Sequence, residues 1–177
     1  MSAPPKEDLW VFGYGSLMWR PGFTYKEMHR GLLYGYHRAF CIYSWVHRGT
    51  RECPGLVLGL DRGGSCVGRV YRVAAENTDA VIQYLDEREM VTAVYRPASV
   101  TVRIPSGTVT ARTYVADRSH PQYAGKLDLE EQARLVDQAV GQSGVNRDYV
   151  INTVDHLEEI GIYDGPLHDL REMIAGE

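Results

Sequence analysis

The sequence predicts an α+β fold: a small, mostly antiparallel, barrel-like sheet packed by helices, with a helical C-terminal segment. Three observations carry this. Strand-forming runs bounded by glycine turns fill the first two thirds of the chain. After residue 125 the apolar spacing becomes helical. No internal repeat or linker-like tract divides the 177 residues. Strands followed by helices give α+β, and this length fits one domain. Residues 1–8 are expected to be a flexible N-terminal lead, and 9–177 a single domain.

The elements follow in order. Leu9-Trp10-Val11-Phe12 reads as a buried strand stopped by Gly13 and Gly15, and Trp19 to Phe23 as a turn. Tyr36 to Tyr43 alternates as a strand, and residues 44–54 form a loop. Leu56 to Leu60 and Cys66 to Val73 read as a hairpin turning at Asp61-Arg62-Gly63-Gly64-Ser65. Glu76 to about Met90 is helical, with Val81, Ile82 and Leu85 on one stripe. Tyr95 to Ile104 and Thr108 to Val115 make a second hairpin around Pro105-Ser106-Gly107. Asp128 and Glu131 have the spacing of a capping box. Gly141 to Gly144 ends that helix, Asn146 is placed to cap the next, Gly161 stops it, and Pro166 opens a last helix to Ile174.

Composition excludes several classes. With 19 Lys+Arg against 23 Asp+Glu the net charge is -4, and no clustered basic face suggests nucleic acid. No apolar run reaches membrane-spanning length, and the polar, Pro-rich start lacks the apolar core of a signal peptide. A cytoplasmic setting follows, consistent with an odd cysteine count of Cys41, Cys53 and Cys66 and no C-x-x-C pair. The six histidines are scattered without metal-ligand spacing, and His156 and His168 read as surface or capping residues. Oligomeric state is not specified by the sequence.

Four segments are candidates for chemistry. In Phe12-Gly13-Tyr14-Gly15-Ser16-Leu17-Met18, a strand ends in Gly-x-Gly-Ser, a pattern that exposes successive backbone N–H groups to an anion. On the local pattern alone an ordinary tight turn is the favoured account. It lacks the Lys of a phosphate loop and the third glycine of a dinucleotide fingerprint, and Gly15-Ser16-Leu17 is not a nucleophile elbow. In Tyr84-Leu85-Asp86-Glu87-Arg88-Glu89, Glu89 shares a face with Leu85 and so projects inward, whereas Glu87 faces solvent. An inward carboxylate is a candidate general base; a solvated helix end is the alternative. Tyr123, in His120-Pro121-Gln122-Tyr123-Ala124-Gly125, is either a ligand contact or a packing residue. The basic loop His47 to Arg51 reads as solvated, and Cys41 as a core residue.

Taken together, these residues resemble the ChaC-type gamma-glutamylcyclotransferases. The resemblance rests on Trp10 to Arg20, on Tyr84 to Glu89, on Arg38-Ala39-Phe40, on Val67 to Arg72, on Pro121 to Gly125 and on Asn146 to Tyr149. It runs from about residue 9 to 172, and the ordered set of pieces is far more specific than any one of them. It implies a gamma-glutamylcyclotransferase-like fold, no cofactor and no metal, and a small-molecule gamma-glutamyl substrate, typically glutathione, which is released as 5-oxoproline and Cys-Gly. It implies Glu89 as catalytic acid/base, residues Gly13, Tyr14, Gly15, Ser16, Leu17 and Met18 as the loop holding the glutamyl group, and Tyr123 as a pocket tyrosine. One stretch departs: where many members carry Gly-Gly-Tyr after the Arg-Glu, this chain has Met90-Val91-Thr92-Ala93-Val94-Tyr95. Two rivals follow, a cyclotransferase for other gamma-glutamyl amino acids or amines, and a non-catalytic gamma-glutamyl-binding module.

Overall fold

The computed structural model describes residues 2–176. Five strands close a barrel in the order β1 (Leu9–Gly13), β3 (Gly55–Val73), β2 (Glu27–Ser44), β4 (Tyr95–Ile104) and β5 (Gly107–Ala116). β1 runs antiparallel to β3, from Leu9↔Val73 to Gly13↔Arg69. β2 pairs antiparallel with β4 at Leu32↔Arg103 and Leu33↔Val102, and a parallel pairing, Val11↔Arg112, joins β1 to β5. The helices are α1 (Thr78–Glu89), α2 (Leu129–Gln138), α3 (Asn146–Glu159) and α4 (Gly165–Ala175). A short hairpin, β6 (Val140–Gly141) with β7 (Gly144–Val145), occupies the predicted helix break. The architecture is α+β.

Packing divides the chain into two compact units, one ending at His37 and resuming over Arg62–Val115, the other comprising Arg38–Asp61 and the residues from Ala116 onward. The long strands β2 and β3 contribute to both.

Those two strands differ from the sequence reading for one reason, glycine. The predicted hairpin at Asp61–Ser65 is instead the interior of a single 19-residue strand. Gly63 and Gly64 do adopt φ of +104° and +69°, but the strand absorbs them as a local kink instead of reversing. β2 begins at Glu27, well before the predicted start at Tyr36. Gly31 hides this extension: a Cβ there would collide with the side chains of Val70 and Val102, so the glycine is a packing requirement and not a turn.

In the first unit, Val81 and Leu85 of α1 bury against Val11, Leu17, Val73 and Tyr114. α1 is preceded by a 3-10 turn over Ala75–Asn77 and ends in a turn in which the Ala93 N–H donates to Met90 O at 3.3 Å. Ala93 has φ +58°, a left-handed conformation in which a Cβ is penalised.

In the second unit α2, α3 and α4 pack on one another through Leu135 and Val136, Val150, Val154 and Leu157, and Leu167, Leu170 and Ile174. Asp128 caps α2 as predicted, its Oδ1 accepting the Glu131 N–H at 2.8 Å, while the Glu131 carboxylate turns to Arg134. Asn146 does not cap α3, because its amide is recruited elsewhere. Fully buried, it donates to Leu56 O and accepts from Leu56 N–H, both at 2.8 Å, standing in for a neighbouring strand. His168 is buried and not at the surface; its Nδ1 lies on the backbone of Asp164, the residue that caps α4.

Two stability predictions follow from these contacts. Asn146→Ala strips both backbone groups of buried Leu56 of their Asn146 partner, and at about 1–3 kcal/mol per orphaned group it is expected to cost roughly 2–6 kcal/mol in urea unfolding. A loss under about 1 kcal/mol would show that the bridge is dispensable. Ala93→Gly relieves a left-handed penalty of about 1–2 kcal/mol against about 0.5–1 kcal/mol of added chain entropy, so a small rise in Tm is expected; a fall would contradict the strain.

Candidate active site

In the first unit, β1 runs out at Gly13 into a 3-10 turn over Ser16–Met18. The Met18 N–H donates to Gly15 O at 2.9 Å, and the N–H groups of Trp19 and Arg20 both donate to Ser16 O. Two glycines make the fold-back possible. A Cβ on Gly13 would lie 2.9 Å from Leu17 Cβ, and one on Gly68 of β3 would strike Gly13 O and the Phe12 ring. The carbonyls of the turn are then tied down: Tyr71 Oη donates to Leu17 O at 2.8 Å and to Met18 O at 3.0 Å, and Arg69 Nη1 donates to Met18 O at 2.8 Å. Inside such a turn the opening N–H groups, Gly15 to Leu17, have no acceptor, since its first internal bond runs from Met18 N–H to Gly15 O. Ser16 is exposed, while Gly13, Tyr14, Gly15, Leu17 and Met18 are buried. The Leu17 side chain belongs to the core. Met18 is 1% exposed with its N–H and C=O both engaged, so its place is in the packing beneath the turn.

The same core carries α1, and α1 ends in the two carboxylates of the acidic motif. Their environments push them apart. Asp86 Oδ1 accepts from Tyr114 Oη at 2.6 Å and from Arg112 Nη2 at 2.9 Å. Partial burial works against its charge, but these bonds outweigh it and hold its carboxyl below the usual range. The Glu89 side chain is 19% exposed, and burial pushes its carboxyl above the usual range, with the adjacent Arg88 pulling the other way. The two carboxyls are thus shifted in opposite directions, a separation also found at acid/base sites. Glu87, as the helical spacing predicts, is exposed.

Arg88 connects the helix end to the turn. Its Nη2 donates to Ser16 Oγ at 2.8 Å, and its Nη1 donates to Arg20 O at 2.7 Å, Pro21 O at 3.3 Å and Tyr84 Oη at 3.0 Å. Its Nε lies 3.7 Å from Glu89 Oε1. Tyr84 also seats the exit of the turn, because Gly22, at φ +76°, has no Cβ to meet the Tyr84 hydroxyl. A single guanidinium therefore stands between the glycine turn and Glu89.

Tyr123 belongs to the second unit. Its segment lies along the end of β2, with the Tyr43 N–H donating to Gln122 O and the Ala124 N–H to Cys41 O, both at 2.7 Å. The Tyr123 hydroxyl donates to Asp61 Oδ2 at 2.7 Å, and Asp61 Oδ1 accepts from Arg118 Nε at 2.9 Å. Burial first, and then Asp61, pushes the Tyr123 phenol up to about 12. The His47–Arg51 loop is docked in this unit: His47 Nδ1 meets Ser143 Oγ at 3.0 Å, Arg48 Nη1 donates to Val145 O at 3.2 Å, and Arg51 stacks on Trp45. Cys41 is buried, its thiol pushed up to about 12, and none of the three cysteines forms a disulfide. Among the described residues no group of three His, Cys, Asp or Glu side chains is arranged to hold a metal ion.

Sequence reasoning missed Arg69, Tyr71, Arg88, Arg112 and Tyr114. Arg69 and Tyr71 stand two apart on β3 and reach the same turn, a period-2 signal readable in retrospect. Tyr84 and Arg88 stand four apart on α1 and touch, the corresponding helical signal. For Arg112 and Tyr114 the binding partner is on a distant element, and no local pattern announces it.

A family model described as ChaC-like protein matches residues 9–177. The glutathione-specific gamma-glutamylcyclotransferase of Escherichia coli (strain K12) is 36% identical over 168 residues, covering 94% of this chain and 73% of that one. Gamma-glutamylcyclotransferase 2-3 of Arabidopsis thaliana is 32% identical over 177 residues, covering 94% and 88%. A crystal structure of a gamma-glutamylcyclotransferase specific to glutathione from yeast shares the fold, with a TM-score of 0.82 over 96% of each chain at 22% identity. With a family model spanning nearly its whole length and relatives above 30% identity, this chain belongs to the ChaC-like family.

Proposed function

We propose that this chain is a gamma-glutamylcyclotransferase that cleaves glutathione to 5-oxoproline and Cys-Gly, with Glu89 as general base and then general acid. The observation that carries the reading is the half-buried Glu89 carboxylate, raised above its ordinary pKa and joined through one guanidinium to a glycine turn. The curated relatives named for the glutathione-specific activity supply the substrate.

The chemistry needs little else. The substrate brings its own nucleophile, the glutamyl α-amine, and its own electrophile, the γ-carbonyl. Holding the two in the geometry of a five-membered ring is worth on the order of 7–11 kcal/mol. Glu89 takes the proton that the attacking amine loses. The N–H groups of Gly15, Ser16 and Leu17 face the oxyanion as the tetrahedral centre forms. Glu89 then returns the proton to the departing nitrogen as the γ-amide C–N bond breaks, leaving a lactam and a free amine with no water consumed. Each proton transfer is worth roughly 10²–10⁴-fold. Gly13 and Tyr14 place the turn, and Leu17 and Met18 support it from the core. Tyr123 enters as a substrate contact on the resemblance; with its O–H committed to Asp61, it would meet the substrate as an acceptor for an N–H. A cytoplasmic setting belongs to the same reading, in keeping with three cysteines that form no disulfide.

Purified protein incubated with glutathione is expected to release 5-oxoproline and Cys-Gly in equal amounts by mass spectrometry, and gamma-glutamyl-alanine to turn over more slowly. Comparable or faster release from gamma-glutamyl-alanine would move the assignment to other gamma-glutamyl amino acids, and ligand binding without turnover at any pH would make the protein a binding module.

Glu89→Gln is expected to keep the circular-dichroism spectrum and lose at least about 10²-fold in turnover; near wild-type turnover would remove Glu89 from the mechanism. The same variant makes a stability prediction. Burial raises the folded pKa of Glu89 above its unfolded value of about 4.3, so its stabilising contribution is complete below that value and is lost as pH rises through the folded pKa. Glu89→Gln is therefore expected to melt higher than wild type at pH 7, with the gap closing toward pH ~4. Equal Tm values at pH 7 would mean that ionising Glu89 costs the fold nothing.

A further inference from the structure

We propose that Arg88 is a positioning residue for the cyclisation: one guanidinium fixes the Ser16 hydroxyl as a donor toward the substrate and sets the Glu89 carboxylate in its working place. The inference rests on the reading above and extends it to a side chain that touches no reacting atom.

The geometry leaves the guanidinium little freedom. Its side chain is 20% exposed, and its donors are distributed over the Ser16 hydroxyl, the Arg20 and Pro21 carbonyls, the Tyr84 hydroxyl and the Glu89 carboxylate. Only a planar fork can face that many acceptors at once; a lysine ammonium carries charge without the geometry. Two consequences follow for the site. A serine hydroxyl that accepts from Arg88 directs its own O–H elsewhere, and Ser16 is the exposed residue of the turn. Its proton therefore points away from the protein donor and is free for an oxygen of the ligand. Secondly, Arg88 opposes the effect of burial on Glu89. The other charged groups on neighbouring elements are spoken for. Asp86, three residues back on α1, is held by Arg112 and Tyr114 of β5. Arg69 and Tyr71 of β3 are turned to the Leu17 and Met18 carbonyls, and Arg20 of the exit turn is exposed. Arg88 reaches the Glu89 carboxylate, its Nε 3.7 Å from Oε1.

The test compares Arg88→Gln, Arg88→Lys and Ser16→Ala, using the pH dependence of 5-oxoproline release and a direct titration of the Glu89 carboxyl carbon by ¹³C NMR. For Arg88→Gln the acid limb of kcat/KM and the NMR titration are expected to move together to higher pH, with kcat lowered about tenfold or more. Arg88→Lys is expected to keep the acid limb near that of wild type while losing a similar factor in kcat. Ser16→Ala is expected to lower kcat with the limb unmoved. A merely structural arginine would lower stability or kcat without shifting the Glu89 titration. A folded Arg88→Gln variant with that titration unmoved, or with kcat within twofold of wild type, overturns the proposal. If Arg88→Gln does not fold, Arg88→Lys decides: wild-type kcat in that variant overturns it, and a loss matching that of Ser16→Ala supports it. The NMR titration reads the Arg88–Glu89 coupling without turnover, so a wild-type protein inactive on glutathione sinks the functional assignment and leaves this inference to be judged separately.

Discussion

A carboxylate taken out of water must be compensated or it takes up a proton. That constraint organises the first unit around Glu89. Arg88 beside it opposes the effect of burial, and the remaining donors of that guanidinium are met by acceptors of the turn after β1. The turn in turn keeps its shape because Gly13 and Gly68 leave room for it and because Tyr71 and Arg69 hold its carbonyls. Removing the glycines, the tyrosine or the arginines would therefore disturb the same carboxylate from different sides.

The hydrophobic core supplies the rigidity. Leu17, from the middle of the turn, and Val81 and Leu85, from α1, bury into one cluster with Val11, Val73 and Tyr114. The two elements of the proposed site thus share a packed interior, and packed interiors transmit displacement instead of absorbing it. Tyr114 joins the two requirements: its ring fills that cluster, and its hydroxyl donates to Asp86, fastening α1 to β5 three residues before Glu89.

How much of this was legible in the sequence depends on where the signal resides. β1 and its glycine turn, the α1 stripe and the second hairpin are all local in the chain, and local periodicity describes them. The inward aim of Glu89 also followed from its spacing to Leu85. What the sequence hid was non-local. Gly31 and Gly63-Gly64 look like punctuation, yet they are accommodations to neighbouring strands or kinks in a continuing one. Asn146 looks like a helix cap, but its amide completes Leu56, 90 residues away. Arg88 sat in plain view inside an acidic motif, where a charge run conceals a guanidinium that also reaches Ser16, Arg20 and Pro21, 67 to 72 residues distant.

The small number of side chains in the proposed chemistry follows from the reaction itself. A substrate that attacks itself needs no enzyme nucleophile, no activating histidine and no water held for attack. It needs a fixed conformation, donors for one oxyanion, and one group that moves a proton twice. Backbone N–H groups can meet the second need without side chains, so glycine, which permits close backbone approach, recurs where a hydrolase would place serine and histidine. The remaining demand falls on one carboxylate, whose burial opposes its ionisation. In the proposed reaction, burial that raises the carboxyl's pKa would favour proton exchange and would cost stability by the same free energy. On that reading the fold accepts a destabilising charge where the proposed proton carrier stands, and Arg88 opposes the shift without reversing it.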